Sequence, residues 1–301
     1  MSAVKVGYPA VNQALACRSS GTFRLASYSE QRMTETITAN LACLRRVLAW
    51  NTEHRLLFFR ITSDLVPFAS HPVSGGYDWR GRFAGELADI GAYVRAHDVR
   101  ISLHPGQFVV LNSPSESTYA SSVAELVYHA ELLDALGLDP SHKVQVHLGG
   151  RHGDAERGMQ VWARRYAALP EPVRERLVIE NDERDASLAD CLRLHAEVGV
   201  PVLFDTLHHS IRNDGETVLK GLDRAAATWR PVDGMPMVDY STQDPARRPG
   251  AHAVTLDVEH FRSFVRRLRH RDVDVMLEIK NKEASALQAR VVLDELGAVQ
   301  R

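Results

Sequence analysis

The sequence predicts a single (β/α)8 TIM barrel over residues 1–301, with a metal site at the C-terminal face of its strands. Three observations carry that expectation. Short β-branched and aromatic segments alternate with segments of helical period, the pattern of parallel strands joined by crossover helices. Eight such units fit within the 301 residues, and barrels of this type take about 250. The strand-like segments also end, one after another, on ionisable residues: ISLH on His104, VQVH on His147, LVIE on Glu180, VLFD on Asp205, MVD on Asp239 and VMLE on Glu278. All strand C-termini of a barrel open on one face, so these groups would meet there.

VKVGYP (4–9) is a short apolar strand, and Ile37, Leu41, Leu44, Val47 and Leu48 then recur at helical period within 29–51. RLLFFRI (55–61) reads as a buried strand, followed by a helix marked by Phe83, Leu87, Ile90 and Val94. VRISLH (99–104) is the third strand. Val123, Leu126, Val127, Ala130 and Leu133 form the next helix, which Gly137 stops as a C-cap. KVQVHL (143–148) precedes a helix over 155–168 that Pro170 and Pro172 close off. RLVIEN (176–181) is the fifth strand, and Ser187 is placed to N-cap a helix running to Val198. VPVLFDT (200–206), a helix over 216–228, MPMVDYS (235–241), a helix over 256–270, VDVMLEIK (273–280) and a helix over 284–296 complete the series. Two loops are long, 62–81 and 105–121. On the open face of a barrel such loops are where substrate-gripping elements belong.

Composition narrows the class. Hydrophobic content of 45% and charged content of 25% are ordinary for a globular protein. No run reaches the roughly 20 apolar residues of a membrane span, and MSAVKVGYP carries no signal-peptide stretch, so a cytoplasmic protein is expected. Cys17, Cys43 and Cys191 are far apart and odd in number, which predicts free thiols in a reducing compartment. A net charge of −2 does not announce a nucleic-acid binder, yet bound divalent cations would reverse the sign of an acidic site hidden in that sum. No GxGxxG or P-loop pattern is present, which argues against a nucleotide cofactor.

Glu180, at the expected barrel mouth, can bridge two cations about 3.5–4 Å apart through its two oxygens, and Glu278 ends its strand in the same way. Asp205 and His208 are three apart and can face one pocket from a strand end and the loop beyond it; one of His208 and His209 is expected not to be a ligand. His104 and His147 end apolar strands, where an imidazole without a partner is poorly satisfied. His71, His252 and Asp239 join from loop or strand-edge positions, while His54, His97, His129 and His270 fall on helices or helix ends and read as surface residues. So many histidines and carboxylates on one face point to a multi-metal site for hydrolysis, with Glu180, Glu278 and His104 as catalytic candidates.

VGYPAVN (6–12), FRITSDLVPFASHP (59–72), SLHPGQFVVLNSP (102–114), VHLGG (146–150), VIEND (178–182), FDTLHH (204–209) and LEIKNKE (277–283) together closely resemble the UV-damage endonuclease family, barrel enzymes related to endonuclease IV. The resemblance implies an enzyme that nicks double-stranded DNA immediately 5′ to ultraviolet photoproducts and some other distorting lesions, leaving a 3′-hydroxyl. It implies that His104, His147, Glu180, Asp205, His208, His252 and Glu278, with His71 in support, hold two or three divalent cations. Manganese is the family's usual ion, and the mixed donor set also accommodates zinc or magnesium. Water activated by the cations would attack phosphorus while they stabilise the charge on the leaving oxygen. Gln107 and Phe108 match a probing dipeptide that inserts into the duplex at the damage, where unstacking costs least. Tyr8 and Asn12 match positions that approach the lesion from the opposite side. The partner implied is damaged duplex DNA, with no membrane and no nucleotide cofactor, for a chain acting as a monomer.

One departure stands out. The family commonly has a lysine and, two residues on, a histidine in the seventh strand, where this chain has Met237 and Asp239. Either Asp239 replaces the histidine as an oxygen ligand, or one cation is held weakly or activity has diverged. Three other readings stay open. An abasic-site endonuclease would use the same metal chemistry with different probing loops. A sugar isomerase or epimerase on a similar barrel would need fewer ligands and a small polar pocket, with Lys280 and Lys282 as acid or base. A catalytically dead damage binder would retain the fold without the chemistry.

Overall fold

The structure, a computed structural model, describes residues 4–150 and 154–298. Residues 1–3, 151–153 and 299–301 of the expected domain lie outside the described residues. Eight parallel strands close on themselves in chain order: β1 (Val4–Pro9), β2 (Phe58–Ile61), β3 (Arg100–Leu103), β4 (Lys143–His147), β5 (Leu177–Glu180), β6 (Val202–Asp205), β7 (Met237–Tyr240) and β8 (Val273–Leu277). The seam runs between β1 and β8, in register from Val4↔Val273 to Gly7↔Met276. The fold is the TIM barrel that the sequence predicts.

Helices α1 (Glu30–Glu53), α2 (Trp79–Arg82) and α3 (Ala84–Ala96) precede β3, and α4 (Glu116–Ala135) follows it. Next come α5 (Ala155–Ala167), α6 (Glu171–Arg176), α7 (Leu188–Val198), α8 (Thr206–Ile211), α9 (Val218–Ala226), α10 (Val258–Leu268) and α11 (Glu283–Glu295). The buried face of α1, including Met33, Ile37, Leu41, Leu44 and Leu48, repeats every three or four residues and packs on the barrel wall. Ser187 caps α7 in a capping box with Asp190, as its position predicts. Gly137, just past α4, has φ +64, a conformation that L side chains rarely adopt.

Several local expectations are corrected. Ser115 caps α4 at Glu116, so the loop after β3 is shorter than 105–121. Pro172 sits in the first turn of α6, where a missing N–H leaves no bond unmade, as well as ending the preceding helix. The segment after Asp205 is helical: the Asp205 carboxylate accepts from the His208 N–H at 2.7 Å and starts α8. Cys17 and Cys43 are joined in a disulfide, and only Cys191 is a buried free thiol. Their separation of 26 residues concealed this, because the segment after β1 folds back onto α1 and brings the two Cα atoms to 5.7 Å. The argument from free thiols to a reducing compartment therefore falls. His129 is no surface residue either; it is fully buried, with its ring nitrogens 2.7 Å from the Glu125 carbonyl and 3.1 Å from Ser63 Oγ.

The interior explains why the site lies where it does. Side chains alternate across a strand, so positions two apart share a side. Phe58, Val178, Leu203, Met237 and Met276 form a buried apolar cluster of their own, apart from the shell between strands and helices. Two residues further along the same chain segments stand Arg60, Glu180, Asp205, Asp239 and Glu278. Gln145 and His147 continue the pattern on β4, as do Ser102 and His104 along β3 and just past it. The barrel is therefore floored with apolar side chains and carries a polar storey on its C-terminal side. Met237 belongs to the floor, so that position of β7 contributes no ligand.

Candidate metal centre at the barrel mouth

The polar storey opens into a cavity of about 1210 Å³. Three groups of donors gather there, each with its atoms within 4.8 Å of one another: His104, His147 and Glu180; Glu180, Asp205 and His208; Asp205, Asp239 and Glu278. Glu180 belongs to the first two groups and Asp205 to the second and third. His104 Nε2 and His147 Nε2 lie 3.6 and 3.8 Å from Glu180 Oε2. On the other oxygen, His208 Nδ1 lies 3.4 Å from Glu180 Oε1 and 3.6 Å from Asp205 Oδ1. These gaps are longer than hydrogen bonds. The gaps from His104 and His147 Nε2 to Glu180 suit donors that straddle a cation held at roughly 2.0–2.2 Å from each, whereas His208 turns its Nδ1 to the Asn181 carbonyl.

A fit test comes from unsatisfied atoms. Glu180 Oε1 and Asp205 Oδ2 are buried and make no hydrogen bond, and the Nδ1 atoms of His104 and His147, the ring nitrogens that do not face Glu180, make none either. Buried polar atoms without partners are rare and call for an ion or a water. The tautomers of two further histidines are also set for ligation. His208 Nδ1 is 3.0 Å from the Asn181 carbonyl and His252 Nδ1 is 2.8 Å from the Glu278 carbonyl. A carbonyl can only accept, so each Nδ1 donates, and an Nε2 lone pair is then available to a cation. The donor set fits divalent cations.

Electrostatics point the same way. Burial pushes the His104 imidazole down to about 4 against the pull of Glu180, so it is neutral and able to ligate. Burial acts to raise Glu180, but His147 and His208 hold it below the usual carboxylate range. Burial acts to lower His208, yet Asp205 and Glu180 lift it to about 11. Burial, opposed by His208 and aided by Glu180, pushes Asp205 up to about 6. Three buried carboxylates and the half-buried Glu278, with one guanidinium, that of Arg60, leave the centre short of positive charge, and a proton on His208 partly supplies it.

The UV-endonuclease UvdE family profile matches residues 4–301. This chain belongs to that family. The UV DNA damage endonuclease of Clostridium perfringens (strain 13 / Type A) is 32% identical over 295 residues, covering 97% of this chain and 71% of the relative. The crystal structure of SacUVDE superposes with a TM-score of 0.94 at 43% identity, covering 98% of this chain and all (100%) of that one. Endonuclease IV from Thermus thermophilus, at 22% identity and a TM-score of 0.57 over 84% of this chain and 94% of its own, shares the fold alone.

Other expected site residues of this UvdE-family chain are placed as follows. Glu278 and His252 stand together, with 3.5 Å between Oε2 and Nδ1. His71 lines the cavity but is exposed, and its Nδ1 accepts from the Val73 N–H, outside all three donor groups. His209 turns away from the cavity, its ring 4.9 Å from that of Phe204, which leaves His208 as the donor of the pair. Gln107 and Phe108 are exposed on the rim. Phe108, at 53%, is the one large exposed apolar side chain among the described residues that borders the cavity. Tyr8 and Asn12 are not brought there. Tyr8 is fully buried, accepting from Asn12 Nδ2 at 2.8 Å and donating to Asn51 Oδ1 at 2.6 Å, and Asn12 Oδ1 in turn caps the N–H groups of Ala14 and Leu15. As placed, this pair fastens the β1–α1 connection to α1.

Sequence reasoning missed Arg60, Gln145 and Glu183. Arg60 sits inside an apolar strand and Gln145 two residues before the strand-ending His147, so neither is at a strand end. The period of two counted back from each terminal donor would have found Gln145. Glu183 Oε2 lies 3.6 Å from His208 Nε2, three residues beyond Glu180. No helix among the described residues is long and apolar enough to cross a membrane.

Proposed function

We propose that this chain is a DNA repair endonuclease that hydrolyses the backbone of duplex DNA immediately 5′ to ultraviolet photoproducts and leaves a 3′-hydroxyl. The observation that carries the reading is the juxtaposition of linked His/carboxylate donor groups with an exposed aromatic residue on the rim of one large cavity. Membership of the UvdE family and a relative named UV DNA damage endonuclease support it.

His104, His147, Glu180, Asp205 and His208, with His252 and Glu278 beside them, would hold divalent cations, with manganese as the working ion. Those ions supply Lewis acidity and bring the pKa of a water toward neutrality. Glu180, facing two donor groups at once, fixes the spacing between them. His104 stays neutral and His208 yields its proton as positive charge arrives. Phe108 and Gln107 enter the helix where a lesion has already weakened stacking, which costs less than opening intact duplex. The chain acts as a monomeric single domain in the cytoplasm, without a nucleotide cofactor.

Nicking of supercoiled plasmid, irradiated against untreated, with Mn2+ present, tests this. Relaxation of irradiated plasmid alone is expected. Relaxation confined to plasmid carrying abasic sites would move the assignment to an abasic-site endonuclease, and no relaxation from folded, metal-loaded protein would reject nuclease activity.

A further inference from the structure

The three donor groups are not equivalent. In the third, Asp239 and Glu278 already have a cationic partner built into the chain. Arg60 projects from β2 with its side chain 5% exposed. Its Nη2 donates to both oxygens of Asp239, at 2.7 and 2.8 Å, and to Gln145 Oε1 at 2.6 Å. Its Nη1 donates to Glu278 Oε1. A guanidinium held in this way is a permanent positive charge with fork geometry matched to carboxylates.

Glu180 Oε1, which the first two groups share, is buried without a hydrogen bond, and so is Oδ2 of Asp205, the residue that joins the second group to the third. Asp239 and Glu278 have no such atom among the described residues. A divalent cation placed among Asp205, Asp239 and Glu278 would stand against the guanidinium and would have to break its bonds to both carboxylates. Met237, in the apolar floor beneath Asp239, adds no donor to offset that loss.

We propose that Arg60 takes the place of one divalent cation: it is the fixed counter-charge of the Asp205–Asp239–Glu278 group, and the chain binds two ions, at the two groups that share Glu180. The proposal rests on the metal-dependent reading above and sets the number of ions in it. Arg60 is a positioning residue here, because it holds Glu278 and Asp239 in the arrangement that the two bound ions meet.

The test is the Mn2+ content per chain, measured by elemental analysis after equilibration with Mn2+ and removal of free ion, together with Mn2+ anomalous peaks in crystals. Two ions are expected for the unmodified chain and for Arg60→Lys, which keeps the charge, and three for Arg60→Ser, which removes it and opens the third group. Three ions in the unmodified chain, or two in a folded Arg60→Ser chain, would overturn the proposal while leaving the nuclease reading standing. No bound ion in the unmodified chain would overturn both. If Arg60→Ser does not fold, the counts for the unmodified chain and Arg60→Lys still decide.

Discussion

Gln145 holds Glu180 in place: its Nε2 donates to Glu180 Oε2 at 2.9 Å and to Asp239 Oδ2 at 2.7 Å. One neutral side chain thereby ties two carboxylates of different donor groups, while its own oxygen accepts from Arg60. Groups that orient metal ligands typically matter about 10–100-fold in metal affinity. Gln145→Leu is accordingly expected to weaken Mn2+ binding by about 10–100-fold. With metal removed, it should lower unfolding free energy by roughly 1–3 kcal/mol, the cost of leaving buried acceptors unpaired. Mn2+ titration and urea unfolding in chelator check both, and an unchanged affinity would deny Gln145 its positioning role.

Glu180 is expected to be indispensable for chemistry and dispensable for recognition. It is fully buried among three imidazoles, so it faces the candidate ion sites and not the surface where a duplex would lie. Glu180→Gln should reduce incision by roughly 10³-fold or more, the several kcal/mol that metal-held charge supplies to a transition state. Binding to irradiated duplex should persist in gel-shift assays. Near-normal incision would remove Glu180 from the centre of the mechanism.

Phe108 gives the converse prediction. Its exposure means that truncation costs the fold little, within about 0.5 kcal/mol. Phe108→Ala should keep its melting temperature and Mn2+ content while losing preference for irradiated over intact duplex. If discrimination survives, the residue packs its loop and does not probe DNA.

A pH test addresses His142, at the opposite end of the barrel. Its Nδ1 accepts from the Ile101 N–H at 3.0 Å, and burial, opposed by Asp139, pushes it down to about 4. The folded state keeps this ring neutral while the unfolded chain takes up a proton near pH 6.5. Its contribution is therefore present above pH 6.5 and lost as pH falls toward 4, by on the order of 3 kcal/mol at most. His142→Asn, which keeps an acceptor but does not titrate, should narrow its stability gap from the unmodified chain over that interval. A gap that stays constant between pH 7 and 4 would show that His142 does not carry the slope.

Most of the architecture was legible because each barrel unit repeats the same two periods. The strand-ending donors His104, His147, Glu180, Asp205 and Glu278 were legible for the same reason: an ionisable residue closing an apolar run stands out. Arg60 did not, since nothing at one position within an apolar strand says that carboxylates from β7 and beyond β8 will surround it. The Cys17–Cys43 bond and the burial of His129 were hidden for a related reason. Both depend on how connecting segments pack, and local sequence carries little of that. Asp239 shows the limit most clearly. Its place near a strand end predicted an ion ligand, and it stands in a donor group as that predicts, but nothing in its own segment announced the arginine that pairs with it.

The apolar floor of Phe58, Val178, Leu203, Met237 and Met276 also decides traffic. Such interiors are packed solid and do not act as pores, so among the described residues the way to Glu180 is through the mouth where Phe108 stands. A duplex seated on that mouth would cover this doorway. While it sits there, ions bound below it would be captives: loss of Mn2+ to chelator should slow once damaged DNA is bound, and resume when the nicked product leaves.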